Sequence, residues 1–490
     1  MTHEIIAPKD ARYLSDFMDE LPDHCLFDKS ITGCGGTTIE IKSKHNSIIA
    51  VPTRNLAISK ASDTVFAFIG KVTDTELVNY LNSSIQYKKI IITYDMLPKI
   101  SAMINPDDFT LLIDEYHLLF NDYSFRSNAV QGVLNTYKKF KHWCFMTATP
   151  LSDECILQEL SDVDRVVLKW QNFTKVKMHI IDTCQIIKKL LWMMEHDERN
   201  LHIFLNSIKT IQYITNELDT DDYRVLCSSK SAGKIQNYAL PTSPVKKYNF
   251  YTSCAFEGVD INDPNGVCVI ISDTNISTTL MDISTKVRQI CGRLRDSKYK
   301  DECYFILNTR KHRYTGVSKP IFQNRVDESV KLGLERQDLY NKAYDAKQME
   351  LECKLYSEMF TSFYLNKYNG KVFYDPNLKT IDEYNYRLVS EIYNSSINVL
   401  TECNKQTQFE TDNTKVIVSN RGLNVVRDYL MSQTKDTYTY TELEEIFKPI
   451  FKERNLKWTK KNSIKLYFPQ YKKTVRRVNG ELCTVYKFDL

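Results

Sequence analysis

Thr32, Gly33, Cys34, Gly35, Gly36, Thr37 and Thr38 follow one another without a break. Three glycines within four residues let backbone N–H groups curl around a polyphosphate, and a helix N-terminus behind them adds partial positive charge. Such a loop ordinarily continues with a lysine for the β- and γ-phosphates and a threonine or serine as a Mg²⁺ ligand. Thr37 fills the second slot, but Gly36 stands in the first. A basic residue lies just upstream, because Lys29 sits at the predicted strand end before the loop and could swing its ammonium into a phosphate site. An ordinary surface lysine, and an ordinary glycine-rich turn, are the alternatives at this point.

Asp114 and Glu115 leave the end of an apolar run at 109–113, followed by Tyr116 and His117. An aspartate in that place can hold Mg²⁺, and the adjacent glutamate can orient and deprotonate a water for nucleotide hydrolysis. A solvated strand end is the plain alternative for the pair taken alone. Farther on, Thr147, Ala148, Thr149 and Pro150 follow another apolar strand ending at Met146.

The elements that must position these residues are legible as a rhythm. Apolar runs at 47–51, 64–69, 89–93, 110–113 and 142–146 alternate with helical stretches, which predicts a parallel sheet covered on both faces. A second set at 177–181, 201–205, 224–227, 267–271 and 302–306, with helices at 208–218 and 279–290, predicts a second α/β unit. Beyond 316 the chain turns to charged, mostly helical segments through 419. Near the end, Leu443, Ile446, Phe447 and Ile450 share one helical face, 458–468 suggests another helix, and 475–488 suggests a hairpin turning at Asn479 and Gly480. Helix, helix and basic hairpin form a winged-helix-like pattern. It would present Lys460, Lys461 and Lys465 to a groove and Arg476 and Arg477 to backbone phosphates. A small protein-docking module is the alternative.

Composition narrows the classes. The net charge is only +4, yet from Lys452 onward eleven basic residues face three acidic ones, so the C-terminal end is the expected polyanion-binding face. Thirteen cysteines occur without a Cys-x-x-Cys pair, and no signal-like start or long apolar run is visible. Reduced thiols, a cytoplasmic location and no membrane partner are expected. Abundant Tyr, Lys, Asn and Ile fit an AT-rich coding genome, as in many phages and mobile elements.

Taken in order, these motifs resemble those of superfamily 2 helicases over roughly residues 25–308. Asp114-Glu115-x-His117 followed by Thr147-Ala148-Thr149-Pro150 carries the likeness, and Gln289-Ile290-Cys291-Gly292-Arg293-Leu294-Arg295 is its strongest single match. The resemblance implies that Gly258 and Asp260 lie at the nucleotide and that Thr53, Arg54, Thr93 and Thr252 contact nucleic acid. It further implies that Gln289, Arg293 and Arg295 act across an interdomain cleft, where guanidinium suits spread phosphate charge. Arg295 comes two residues after Arg293 rather than three, so Arg293 is the firmer assignment. The fold class implied is α/β, with two tandem RecA-like parallel-sheet domains (1–160 and 161–315), a helical region (316–425) and a small C-terminal winged-helix-like domain (426–490). The implied function is an ATP- and Mg²⁺-dependent helicase or translocase acting on nucleic acid, DNA favoured over RNA, in phage or mobile-element replication or repair alongside replication-complex proteins. The alternative is a catalytically weak or inactive helicase-like binding protein for recruitment or origin binding. A restriction-type motor subunit ranks last, since no nuclease constellation is visible.

Overall fold

The computed structural model describes residues 1–70, 72–152, 155–256, 259–309, 317–343, 363–411, 417–418, 437–453, 471–478 and 481–488, together with Val426, Tyr429, Leu430, Gln433, Lys435 and Trp458. The first sheet holds β1 (Thr2–Ile6), β2 (Cys25–Asp28), β3 (Ser47–Val51), β4 (Val65–Phe68), β5 (Lys89–Thr93), β6 (Thr110–Asp114), β7 (His142–Thr147) and β8 (Asp164–Lys169). Their order is β1-β8-β2-β7-β6-β3-β5-β4, and every pairing is parallel. Alternation along the strands divides the core in two. Ile48, Ala50, Ile90, Ile92, Leu111, Ile113 and Phe145 pack on one face, and Ile49, Val51, Ile91, Leu112, Cys144 and Met146 on the other. Both faces are therefore apolar, which is why the strands read as unbroken hydrophobic runs. β8 follows residue 160 in the chain and closes onto β1 and β2.

The second sheet comprises β9 (Val176–Asp182), β10 (Asn200–Phe204), β11 (Tyr223–Leu226), β12 (Tyr248–Tyr251), β13 (Gly266–Ser272) and β14 (Glu302–Leu307), again with parallel pairing. β12 is absent from the sequence expectation. Its Asn249 is buried and accepts from Arg224 Nε at 2.7 Å, so a buried polar pair interrupts the apolar run. The expected helix at 279–290 is shorter. Asp282 caps it by accepting from the Thr285 amide at 2.6 Å, and a π-type turn at Ile283–Val287 leads into the short helix Arg288–Cys291.

The segment beyond 316 is not wholly helical. Helix Lys319–Ala343 is followed by a hairpin of β15 (Leu365–Tyr368) and β16 (Lys371–Tyr374), then helices Pro376–Arg387 and Ser396–Asn404. β17 (Phe409–Thr411) and β18 (Ile417–Val418) both add to β9 in the second sheet. This segment also docks on the first unit. Tyr123 donates to Asp375 Oδ2 at 2.6 Å, and Asn377 Nδ2 donates to Glu159 at 2.9 Å. On the other side Tyr393 donates to Met281 O at 2.7 Å. Near the C-terminus, β19 (Thr437–Thr439), β20 (Tyr471–Val478) and β21 (Glu481–Phe488) form an antiparallel sheet beside helix Tyr440–Glu453. That helix buries Leu443, Phe447 and Phe451. The expected second helix, and with it Lys460, Lys461 and Lys465, lies outside the described residues, so a winged helix is not assembled from what is described. Among the described residues no helix is long and apolar enough to cross a membrane.

Candidate functional site

β2, β6 and β7 lie side by side in the middle of the first sheet, and their carboxyl ends deliver Lys29, Asp114, Glu115 and Thr147 to one place, where ligands collect in open parallel sheets. The loop from Thr32 to Gly35 turns through Gly33 (φ +74°) and Gly35 (φ +90°), conformations that glycine adopts without steric cost, and helix Gly36–Lys42 begins behind it. Tyr13, Lys29, Thr32, Gly33, Gly35, Gly36, Thr37, Thr38, Asp114 and Glu115 of the first unit line a cavity of about 390 Å³ with Asp260, Arg293 and Arg295 of the second.

Gly36 has a packing reason to lack a side chain. A Cβ there would overlap Met146 Sδ, whose side chain is fully buried, and would sit 3.4 Å from Lys29 Cδ. The Lys29 stem thus runs past the position that a loop lysine would occupy. Lys29 is not a surface residue, being 6% exposed, and its Nζ stands 3.8 Å from Asp114 Oδ1. Burial opposes its charge, but the carboxylates of Asp114 and Glu115 outweigh that and hold the ammonium protonated above the usual lysine range. Burial likewise pushes the Asp114 carboxyl upward, with Lys29 acting against it. Cys34 is a buried thiol, pushed up to about 11 by burial, and it donates to Ile31 O at 3.1 Å.

Thr37 Oγ1 donates to Asp114 Oδ2 at 2.7 Å. Two hard oxygen donors side by side at the phosphate loop fit Mg²⁺, which takes one or two protein oxygens and completes its shell with phosphate and water. Glu115 sits in the left-handed region (φ +56°), strain of order 1–3 kcal/mol that recurs at functional positions. Its carboxylate is held from both units. Gln289 Nε2 donates to Oε1 at 2.9 Å, and Thr147 Oγ1 donates to Oε2 at 3.2 Å. His117 Nδ1 lies 2.8 Å from Thr147 Oγ1 and 3.5 Å from Glu115 Oε2. Burial, with Lys29 nearby, pulls His117 down to about 3, so it is a neutral hydrogen-bonding ring.

Residues 292–295 of the second unit pack against the loop. A Cβ on Gly292 would overlap Thr32 Oγ1, and one on Gly33 would overlap the Arg295 guanidinium. Arg295 Nη2 pairs with Asp260 Oδ1 at 2.9 Å, and the mostly buried Arg293 places Nη1 3.9 Å from the same oxygen. Gly258 lies outside the described residues.

The residues expected to contact nucleic acid differ in exposure. Thr53 caps helix Arg54–Lys60 by accepting from the Leu56 amide at 3.3 Å, and Arg54 is exposed. Thr93 and Thr252 are buried, and Thr252 Oγ1 donates to Leu226 O at 3.3 Å, so neither presents its side chain at a surface. Arg476 and Arg477 are exposed on β20. Sequence reasoning missed Tyr13, Leu56, Ser59 and Lys60 in the cavity wall, and Arg288, which bonds to Ser30 O and Ala148 O across the seam. Only Arg288 had a signal, its place directly before Gln289.

These features define a tandem RecA-like arrangement, two parallel-sheet α/β units with a glycine-loop cavity in the seam between them. No protein-family model matches the chain, and no curated protein does. Among solved structures it is similar to the Mycobacterium smegmatis helicase Lhr bound to ssDNA and AMP-PNP, with 13% identity, 76% of this chain and 60% of that chain covered, and a TM-score of 0.42. It is also similar to Saccharomyces cerevisiae Dbp5 bound to RNA and ADP BeF3 (12% identity, 62% and 82% covered, TM-score 0.43). A third is the Escherichia coli DExH-box NTPase HrpB (15% identity, 60% and 40% covered, TM-score 0.38). The chain thus spans less than two thirds of the Lhr and HrpB chains.

Proposed function

We propose that this chain is an ATP-hydrolysing motor of the superfamily 2 helicase type, in which Lys29 takes the part of the missing loop lysine. The observation that carries the reading is the buried Lys29 ammonium beside Thr37, Asp114 and Glu115, facing Arg293 and Arg295 across the seam. The Gly33–Thr37 amides cradle the phosphates, and Lys29 transfers its attention from Asp114 to the β- and γ-phosphate oxygens. Thr37 and Asp114 would hold Mg²⁺, which when bound supplies charge to the same oxygens. Glu115 orients the attacking water and accepts its proton. Gln289 and Thr147 fix that carboxylate, so water activation depends on both units being together. Arg293 and Arg295 stabilise the charge spread over the transferring phosphoryl group, a contribution worth several powers of ten in rate. Closure on ATP and reopening after hydrolysis would then step the protein along a strand. Contacts to that strand would be dominated by phosphate and weakened by salt.

The proposed substrate is DNA, handled in phage or mobile-element replication or repair in the cytoplasm. The basic hairpin with Arg476 and Arg477 serves as an additional phosphate contact. The test is nucleic-acid-stimulated ATP turnover of the wild type beside Glu115→Gln and Lys29→Ala. Both variants should lose at least tenfold in kcat while keeping nucleic-acid binding. Equal turnover in all three, or none in the wild type, would favour a helicase-shaped binding protein instead.

A further inference from the structure

Ser30, the residue after Lys29, adopts φ +62°, a conformation that costs a non-glycine residue and needs outside support. Its amide donates to Asp28 Oδ1 at 2.7 Å and its hydroxyl to Leu168 O at 2.7 Å, both within the first unit. Its carbonyl is held from elsewhere. Arg288 Nη2, on the second unit, donates to Ser30 O at 3.2 Å, and Gln408 Nε2, just before β17, donates to the same oxygen. The same Arg288 Nη2 donates to Ala148 O at 3.0 Å, next to the Thr147 that steadies Glu115. One buried guanidinium therefore fastens the ends of β2 and β7, the two strands that supply Lys29 and Thr147.

We propose that Arg288 is a positioning residue for Lys29. By holding the left-handed turn at Ser30 from the opposite domain, it sets the phosphate lysine in place only when the two domains are closed. This rests on the reading of Lys29 as the phosphate cation. Lys29 has its own backbone ties, its amide donating to Thr147 O at 2.9 Å and its carbonyl accepting from Trp170 Nε1 at 2.9 Å. The N–H of the following peptide, on Ile31, also donates back to Lys29 O at 2.7 Å, so what is left for other elements to fix is that peptide's carbonyl, and both groups holding it come from residues beyond the first sheet. Arginine suits this duty because its planar fork can serve two carbonyls at once, whereas a lysine serves them as a point charge. A motor built this way cannot complete its phosphate site on the first domain alone, which ties hydrolysis to closure.

The experiment uses the full chain with ATP and single-stranded DNA, measuring kcat and equilibrium ATP binding for Arg288→Gln, Lys29→Ala, the double variant, and Arg288→Gln combined with Ser30→Gly. Arg288→Gln should lower kcat about tenfold or more. In the Lys29→Ala background it should change kcat less than twofold, because residues acting through one another are not additive. Ser30→Gly should return at least threefold of the lost rate, since glycine takes the left-handed turn unaided. Additive losses, or no recovery with Ser30→Gly, would overturn the proposal and show Arg288 to be an ordinary interface contact. If Lys29→Ala turns over like the wild type, the reading of Lys29 fails as well, and that outcome is distinct. Should thermal unfolding show Arg288→Gln to be misfolded, Arg288→Lys takes its place, with an intermediate loss and the same recovery expected.

Discussion

On the proposed reading of Lys29, moving the phosphate cation back into the loop should fail unless Met146 makes room. In Gly36→Lys the new Cβ overlaps Met146 Sδ and lies 2.9 Å from Met146 Cε, and Met146 is fully buried in the β2–β7 layer. Overpacking of this kind costs about 1–3 kcal/mol. A second cation beside the buried Lys29 adds like-charge repulsion. Taking about 2 kcal/mol for the first unit, the melting temperature should fall by roughly 4–8 °C, and ATP turnover should fall with it. Lys29→Ala/Gly36→Lys relieves the repulsion and leaves the clash. Only the triple variant with Met146→Ala supplies both the space and the single cation, and it should recover turnover to within about tenfold of the wild type. Melting by differential scanning calorimetry and turnover by a coupled ATPase assay decide the matter. Gly36→Lys that melts and hydrolyses like the wild type would refute the account of why glycine occupies position 36.

Gly292→Ala should lower stimulated turnover at least tenfold, because its methyl meets Thr32 Oγ1 when the units close, and Thr32→Gly should restore part of the loss. Burial raises the Asp28 carboxyl from 3.8 to about 6 despite the opposing Arg288 charge, so the folded chain binds the proton more tightly than the unfolded one. Its contribution to stability should therefore decline as pH rises from about 4 to 6, so urea unfolding at several pH values should find Asp28→Asn losing less, or gaining more, than the wild type over that range. Tyr123→Phe removes the hydroxyl that bonds both Asp375 and Gln131. It should cost about 1–3 kcal/mol and make residues 363–411 more sensitive to limited proteolysis.

The sequence carried the fold where strands are buried on both faces. Runs such as Ile90–Ile92 leave little room for another reading, and strand-end chemistry at Asp114 and Glu115 follows from them. It failed at β12, where Asn249 is buried as the partner of Arg224, because a polar residue in the strand interior erases the apolar signal. β17 was hidden for another reason. Three residues are too few to show a period, and Phe409–Thr411 becomes a strand only because β9 offers it an open edge. The order of the motifs located the cavity, whereas the burial of Lys29 depends on Asp114 and Met146, which the chain brings to it only on folding. The same holds for Arg288, whose partners Ser30 and Ala148 lie on the other unit.

A cation mounted at a strand end, rather than on the helix behind the glycine loop, separates two tasks that one segment would otherwise share. The loop can loosen to admit or expel a nucleotide while the positive charge stays with the sheet. That charge stands 3.8 Å from Asp114 Oδ1, so the buried carboxylate has a cation beside it at the strand end. On the proposed reading of Lys29, an arriving triphosphate would draw the ammonium away from that partner, and departing products would hand it back. Nucleotide exchange would then be an exchange of ion pairs within a fixed frame.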